Sequence, residues 1–399
     1  MKDYRKLISV AVVVLLIAVG FGAVWLVHWW RQPLRPEKIT AAELFRPAGP
    51  VPWAMFRGSL AGTGEAASPL PAELKWLWTW EAGGRVESTA AVVGDSAYLG
   101  TRDKRLVALD LATGTQRWSY ATRGAVSASP CVEGGRVFVG DEMGFFHAVD
   151  AGNGRMIWTF ETGGPIHSSP VAAEGAILFG ADDYKLYCLD AATGKKRWEL
   201  ETGNFVYCSP SVADGVVTIA GCDGALRAVD LLTGGELFQV EQLSYTGATP
   251  ARVGGRAFVA TLAGDAFCID MKSRAMVWTY RPEEVEGEQI GYQNSAAVSL
   301  GRVIVAGIDG YVRSVDAATG KEQWHFRARG GMRSSPVIVG ERVFVGSDEG
   351  TVYGLDLASG AEVWKYKCGG TISASPAVGE GRLVIGSEDG AVYCFGGKR

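Results

Sequence analysis

Asp150-Ala151-Gly152-Asn153-Gly154-Arg155-Met156-Ile157-Trp158 recurs almost unchanged along the chain. Asp110…Gly114…Trp118, Asp190…Gly194…Trp198, Asp316…Gly320…Trp324 and Asp356…Gly360…Trp364 repeat its frame, and Asp230…Gly234…Phe238 and Asp270…Arg274…Trp278 are degraded copies. Successive copies stand 40 residues apart, apart from one step of 46 between Asp270 and Asp316. Self-similarity at a fixed period of this size marks a repeat architecture.

Between two copies the chain carries four short runs rich in β-branched and aromatic residues. In one repeat they lie around Val171, at 176–180, at 185–190 and at 196–200, with Gly, Asp and Asn turns between them. That pattern predicts four antiparallel strands. Asp190-Ala191-Ala192-Thr193-Gly194 joins the third to the fourth, and its glycine supplies the left-handed residue of a short loop. Arg274 replaces that glycine once, so a different turn geometry is expected there. Acid–glycine pairs such as Asp223-Gly224, Asp309-Gly310, Glu349-Gly350 and Asp389-Gly390 mark the turn before the third strand. A four-stranded sheet cannot bury both faces alone, but sheets stacked around an axis bury one another, as in a β-propeller. The column Trp78, Trp118, Trp158, Trp198, Trp278, Trp324 and Trp364 is read as structural, each ring on an outermost strand and packed against the next blade.

Three-strand sets begin near Ser88, Ala128, Ser168, Cys208, Ala248, Asn294, Ser334 and Ala374, which makes eight. The eighth ends at Phe395 with no fourth strand after it, and the strand around Trp78 has no set before it. If residues 75–80 complete the last blade, the ring closes and its open edges disappear. The expectation is an all-β, eight-bladed propeller over residues 53–399, seven being the alternative count, with residues 53–74 as a lead-in.

Residues 1–6 carry Lys2, Arg5 and Lys6, and residues 7–30 form an apolar span whose clearly polar members are Ser9 and His28. At about 1.5 Å per residue the span exceeds the roughly 30 Å hydrocarbon core. It reads as an uncleaved transmembrane anchor, with residues 1–6 as a short cytoplasmic tail and the propeller on the periplasmic side of a bacterial inner membrane. Residues 31–52 hold five prolines and read as a linker. The first 38 residues carry net +4 within a chain of −4, leaving −8 for the rest. An acidic body disfavours nucleic acid as partner. Of the seven cysteines, Cys131, Cys188, Cys208, Cys268 and Cys394 fall in strand patterns as buried thiols, while Cys222 lies in a turn where exposure is expected. No cysteine or histidine cluster has metal-ligand spacing, and no GxSxG, HExxH or Walker motif occurs.

Repeat arithmetic supplies the site candidate. The position three before the recurrent proline starts the innermost strand, near the mouth of the central channel. It reads Glu87, Ser127, His167, Tyr207, Gly247, Gln293, Arg333 and Ser373. A column this varied and this polar can line a plain solvated funnel, hold a small anionic or polar ligand, or take the tip of a partner protein. The 46-residue step adds an acidic loop with Glu283, Glu284, Glu286 and Glu288, read as a solvated excursion or a partner contact.

The repeat D-x-x-T-G-x-x-x-W, joined to S-S-P-V and D-G-x-V-Y runs, resembles the pyrroloquinoline-quinone-type (PQQ-like) propeller repeat. Phe56-Arg57-Gly58 with Thr63-Gly64 is similar to the lead-in before such propellers. Quinoprotein dehydrogenases use the fold to hold a quinone and calcium, and their pattern includes adjacent cysteines, a catalytic aspartate and Glu/Asn calcium ligands. This chain has no Cys-Cys pair. The resemblance to the BamB-like outer-membrane assembly factors implies instead a non-enzymatic scaffold that binds a protein in the cell envelope. The expectation is no catalytic residue, no metal and no cofactor, with binding of PQQ or another small ligand at the channel mouth as the alternative.

Overall fold

The computed structural model describes residues 52–241, 244–283 and 290–397. Every regular element there is a strand, from β1 (Lys75–Glu81) to β32 (Ala391–Gly396). Among the described residues no helix is long and apolar enough to cross a membrane, and the span 7–30 lies outside them. The strands form eight four-stranded sheets. The first blade is β2 (Ala91–Val93), β3 (Ser96–Thr101), β4 (Arg105–Asp110) and β5 (Gln116–Ala121), paired in sequence order from the axis outward. The last blade is β30 (Ala377–Gly379), β31 (Arg382–Gly386), β32 and then β1. Closure by the strand around Trp78 is therefore as the repeat count requires.

Burial explains the sequence pattern. Middle strands such as Ala176–Gly180 are buried throughout, because neighbouring blades cover both faces. Outer strands alternate, as in Gln116–Ala121, where Trp118 is buried between exposed neighbours. Register slips just before the tryptophan: Cys188 pairs with Trp198 but Leu189 pairs with Lys196, so Arg197 is bulged out. Such a bulge re-aims the next side chain. The Trp158 indole donates to Ala191 O in the following blade (3.3 Å) and covers Gly194. A Cβ on Gly194 would lie 2.6 Å from the ring, and its φ is +71°. Arg274 keeps the same left-handed conformation at φ +61°, so the expected change of turn geometry does not occur. The guanidinium instead lies 4.9 Å from the centre of the Phe238 ring, so the two departures from the repeat face each other.

The lead-in does more than precede the ring. Its carbonyls accept the inward N–H groups of innermost strands: Trp53 O from Val92, Ala54 O from Val132, Leu60 O from Val212, Ala61 O from Arg252, Thr63 O from Val298 and Gly64 O from Ile338, at 2.7–2.9 Å. Six blades thus have their inner edge capped by one segment threaded across the channel. Arg57 is fully buried within it, donating to Pro336 O (2.9 Å) and Ala296 O (2.8 Å).

All seven cysteines are free and buried, Cys222 included. The expected exposure of Cys222 fails because its turn packs under the next blade, with the thiol 3.7 Å from Thr246 O. Burial pushes the Cys131 and Cys208 thiols up to about 12. A thiol reagent at neutral pH is therefore expected to label no cysteine in the native protein and all seven after denaturation. Rapid labelling of any one thiol before unfolding would contradict this packing.

Candidate functional site

Each blade's meander sends two kinds of connection to the same face: the link from its outermost strand to the next blade, and the turn between its second and third strands. The eight column residues lie in the first kind. Glu87, Ser127, His167, Tyr207, Gly247, Gln293, Arg333 and Ser373 all line one pit of about 180 Å³ at the channel mouth. Phe56 of the lead-in also lines it, so the pit has an aromatic residue at its threaded end. Glu283 lies in the same inter-blade connection as Gln293, and so on the mouth face. Glu284, Glu286 and Glu288 lie outside the described residues. Beside Glu283 a separate hollow of about 530 Å³ runs between Tyr280, Tyr311 and His325.

Below the rim lies a ring of hydroxyls that the column arithmetic did not select. Thr89 N–H donates to Ser129 Oγ, Ser129 N–H to Ser169 Oγ and Ser169 N–H to Ser209 Oγ, each at 3.0 Å. Thr249, Ser295, Ser335 and Ser375 continue it, and Ser375 N–H closes back on Thr89 Oγ1 (3.0 Å). The signal was present in the sequence, since Ser or Thr precedes the proline position in all eight copies. Its physical sense is edge protection. In most blades the hydroxyl caps one inward N–H, proline removes the next, and the lead-in takes a third.

The rim charges pair with acidic turns of the second kind. Glu142 meets Arg102 in a close ion pair and accepts from Ser127 Oγ (2.9 Å). Arg102 also lies 3.6 Å from Glu87. His167 stands between Glu142 (3.8 Å) and Asp182 (3.5 Å). Arg333 donates from Nε to Asp348 (2.9 Å) and its Nη1 lies 3.3 Å from Glu388. Burial pushes the Asp182 carboxyl up; His167 opposes the shift and Asp183 and Glu142 add to it. For Arg333 burial acts downward, but the Asp348 and Glu388 carboxylates outweigh it and hold the guanidinium above its ordinary value. Sequence reasoning marked only the acid–glycine pairs of these turns and did not single out Glu142, Asp182, Asp348 or Glu388, so it found Arg333 but not what engages it.

Glu142 is held in place by its neighbour. The fully buried Asp141 carboxylate accepts from the Arg123, Gly124, Met143 and Phe145 amides and from His147 Nε2, all at 2.9–3.0 Å. Tyr120 OH occupies the other ring nitrogen of His147 at 3.1 Å. Burial raises the Asp141 carboxyl, but the donors outweigh it and leave it below its ordinary value. With the folded value below the unfolded one, this stabilisation is present above about pH 4 and is lost as pH falls through the folded value. Asp141→Asn, which turns donors toward donors, is expected to cost about 2 kcal/mol and to flatten the acid limb of a stability–pH curve. An unchanged acid limb would refute the assignment.

No group of three or more His, Cys, Asp or Glu side chains among the described residues is placed to hold a metal. Among curated proteins none matches the sequence. Solved structures share the fold. BamB from Moraxella catarrhalis is 19% identical with a TM-score of 0.71, over 82% of this chain and 100% of that one. A quinohemoprotein alcohol dehydrogenase from Comamonas testosteroni is 15% identical with a TM-score of 0.76, over 90% and 84%. The computationally designed Ika8 protein is 16% identical with a TM-score of 0.71, over 80% and 99%. Likeness at such identity establishes architecture, which hosts unrelated functions. The sequence itself matches a family profile described as outer membrane protein assembly factor BamB, at residues 71–168, 142–307, 223–335 and 308–398. These segments run through the whole propeller, and the chain belongs to that BamB family.

Proposed function

We propose that the chain is a non-enzymatic scaffold, anchored in the inner membrane by residues 7–30, whose propeller lies outside the cytoplasm and binds a protein through its mouth face. The observation that carries this reading is the pit itself. It measures about 180 Å³, below the roughly 300 Å³ at which small-molecule sites begin. On its rim Arg333 and His167 stand against acids of the surrounding turns and Glu87 against Arg102, and the face around it is built of short connections, broad enough for a macromolecule.

The quinone and calcium of the dehydrogenases do not fit this donor set. Arg333 is already committed to Asp348 and Glu388, which removes the cation that an anionic quinone would need. The seven thiols are buried singly, with no adjacent pair. The scaffold reading therefore calls for no cofactor.

Site-specific photo-cross-linkers in the full chain, in its own membranes, test it. Gln293 and Ser373 on the rim are expected to capture the same protein, and Ala192 in a turn of the opposite face to capture none. No adduct from the rim, or equal capture from Ala192, would overturn the reading.

A further inference from the structure

We propose that the pit receives the guanidinium of an arginine carried by a loop of the partner protein. This rests on the scaffold reading and specifies its chemistry. Three residues that line the pit carry a buried polar atom without a partner: Asn294, Thr249 and Ser373. Asn294 donates both amide hydrogens, to Ala306 O (2.8 Å) and Met332 O (3.0 Å), which settles the orientation of the amide. Its Oδ1 then accepts nothing, although the residue is only 4% exposed. Thr249 Oγ1 is the one hydroxyl of the ring that no amide reaches, and Thr249 is 2% exposed. A buried polar atom without a partner is costly, and Thr249 Oγ1, on the hydroxyl ring of the pit, calls for a donor.

Charge points the same way. In the described network at the mouth, five carboxylates (Glu87, Glu142, Asp182, Asp348, Glu388) face three guanidiniums (Arg85, Arg102, Arg333). Arg102 and Arg333 each serve two acids, so neither is free for an anion. A planar donor fork suits separated acceptors better than a point charge does, and the aromatic residues Phe56 and Tyr207 also line the pit. Gly247 opens the wall beside Thr249. A Cβ there meets nothing closer than Tyr207 Cβ at 3.4 Å.

The test uses the full chain in detergent and N-acetyl-arginine amide as probe, followed by calorimetry. N-acetyl-citrulline amide, nearly the same shape without the charge, is the control. The arginine probe is expected to bind saturably and about tenfold more tightly than the citrulline one. Gly247→Lys, which sets an ammonium of the chain's own over the pit, is expected to abolish binding at unchanged melting temperature. Glu87→Gln is expected to weaken it several-fold. Equal binding of the two probes, preferential binding of malonate, or a Gly247→Lys protein that still binds would each overturn the proposal. The two readings fail separately. Rim capture of a partner without arginine binding sinks the pit chemistry alone. Arginine binding without rim capture supports the pit chemistry and sinks the scaffold.

Discussion

Arg57→Ala is expected to destabilise the propeller by about 3–5 kcal/mol, through two buried carbonyls left without a donor and the void that replaces the side chain. The guanidinium is fully buried and its two bonds go to carbonyls of the sixth and seventh blades, 239 and 279 residues away in sequence. Burial pulls its pKa down to about 9, still above neutrality, so it is charged at pH 7. Truncation leaves both carbonyls without a donor, at about 1–3 kcal/mol each, and opens a void beneath the channel. Arg57→Lys is not a conservative change here, because an ammonium lacks the fork that spans two carbonyls. Gly64→Ala provides an independent check. Its φ is +67° and an added Cβ would fall 1.8 Å from the Arg57 guanidinium, so it should reproduce much of the Arg57→Ala loss with the charge retained. Urea melts of all three variants decide the matter, and a loss under about 1 kcal/mol in Arg57→Ala would show that the plug does not hold the blades together.

That plug marks the limit of what the sequence discloses. Blade number, strand order and closure follow from a period, because each repeat places the same side chains against the same neighbour. The rim column follows for the same reason: one position per repeat must return to the same depth in the channel. The lead-in has no period. Ala54, Leu60 and Thr63 contribute only backbone carbonyls to the inner strands, and a carbonyl leaves no trace in residue type. Rim electrostatics were hidden differently. Arg333 pairs with Asp348, 15 residues on, beside a position whose acids bond local amides in other repeats, as Asp223 and Asp309 do, so the ion pair cannot be told in sequence from turn chemistry. Arg274 shows the converse error. A residue-type rule favouring glycine predicted a new turn, whereas the closed sheet imposes the left-handed conformation on arginine as well.

Trp198→Ala is expected to cost about 3–5 kcal/mol. The ring is 8% exposed, its Nε1 donates to Leu231 O (3.0 Å), and it covers Gly234, whose added Cβ would sit 2.5 Å from it. Trp198→Phe keeps part of that contact and loses the indole bond, so it should cost less, about 1–2 kcal/mol. The interface between the fourth and fifth blades has already made this change naturally, with Phe238 of the fourth in place of tryptophan and Arg274 of the fifth in place of glycine. Two opposing terms act there. A non-glycine residue at φ +61° costs about 1–2 kcal/mol, and the guanidinium over the ring returns about 0.5–1 kcal/mol. Arg274→Gly alone should therefore be neutral to mildly stabilising. Phe238→Trp alone brings the larger ring against a Cβ that other blades lack, and should be unfavourable. Together they rebuild the interface of the regular blades, so the double variant should be more stable than the sum of the singles by about 1–2 kcal/mol. Denaturant midpoints of the four proteins give the coupling directly. Simple additivity would mean that the tryptophan and the glycine are independent preferences, and that the repeat is a pattern of strands rather than of interlocking blades.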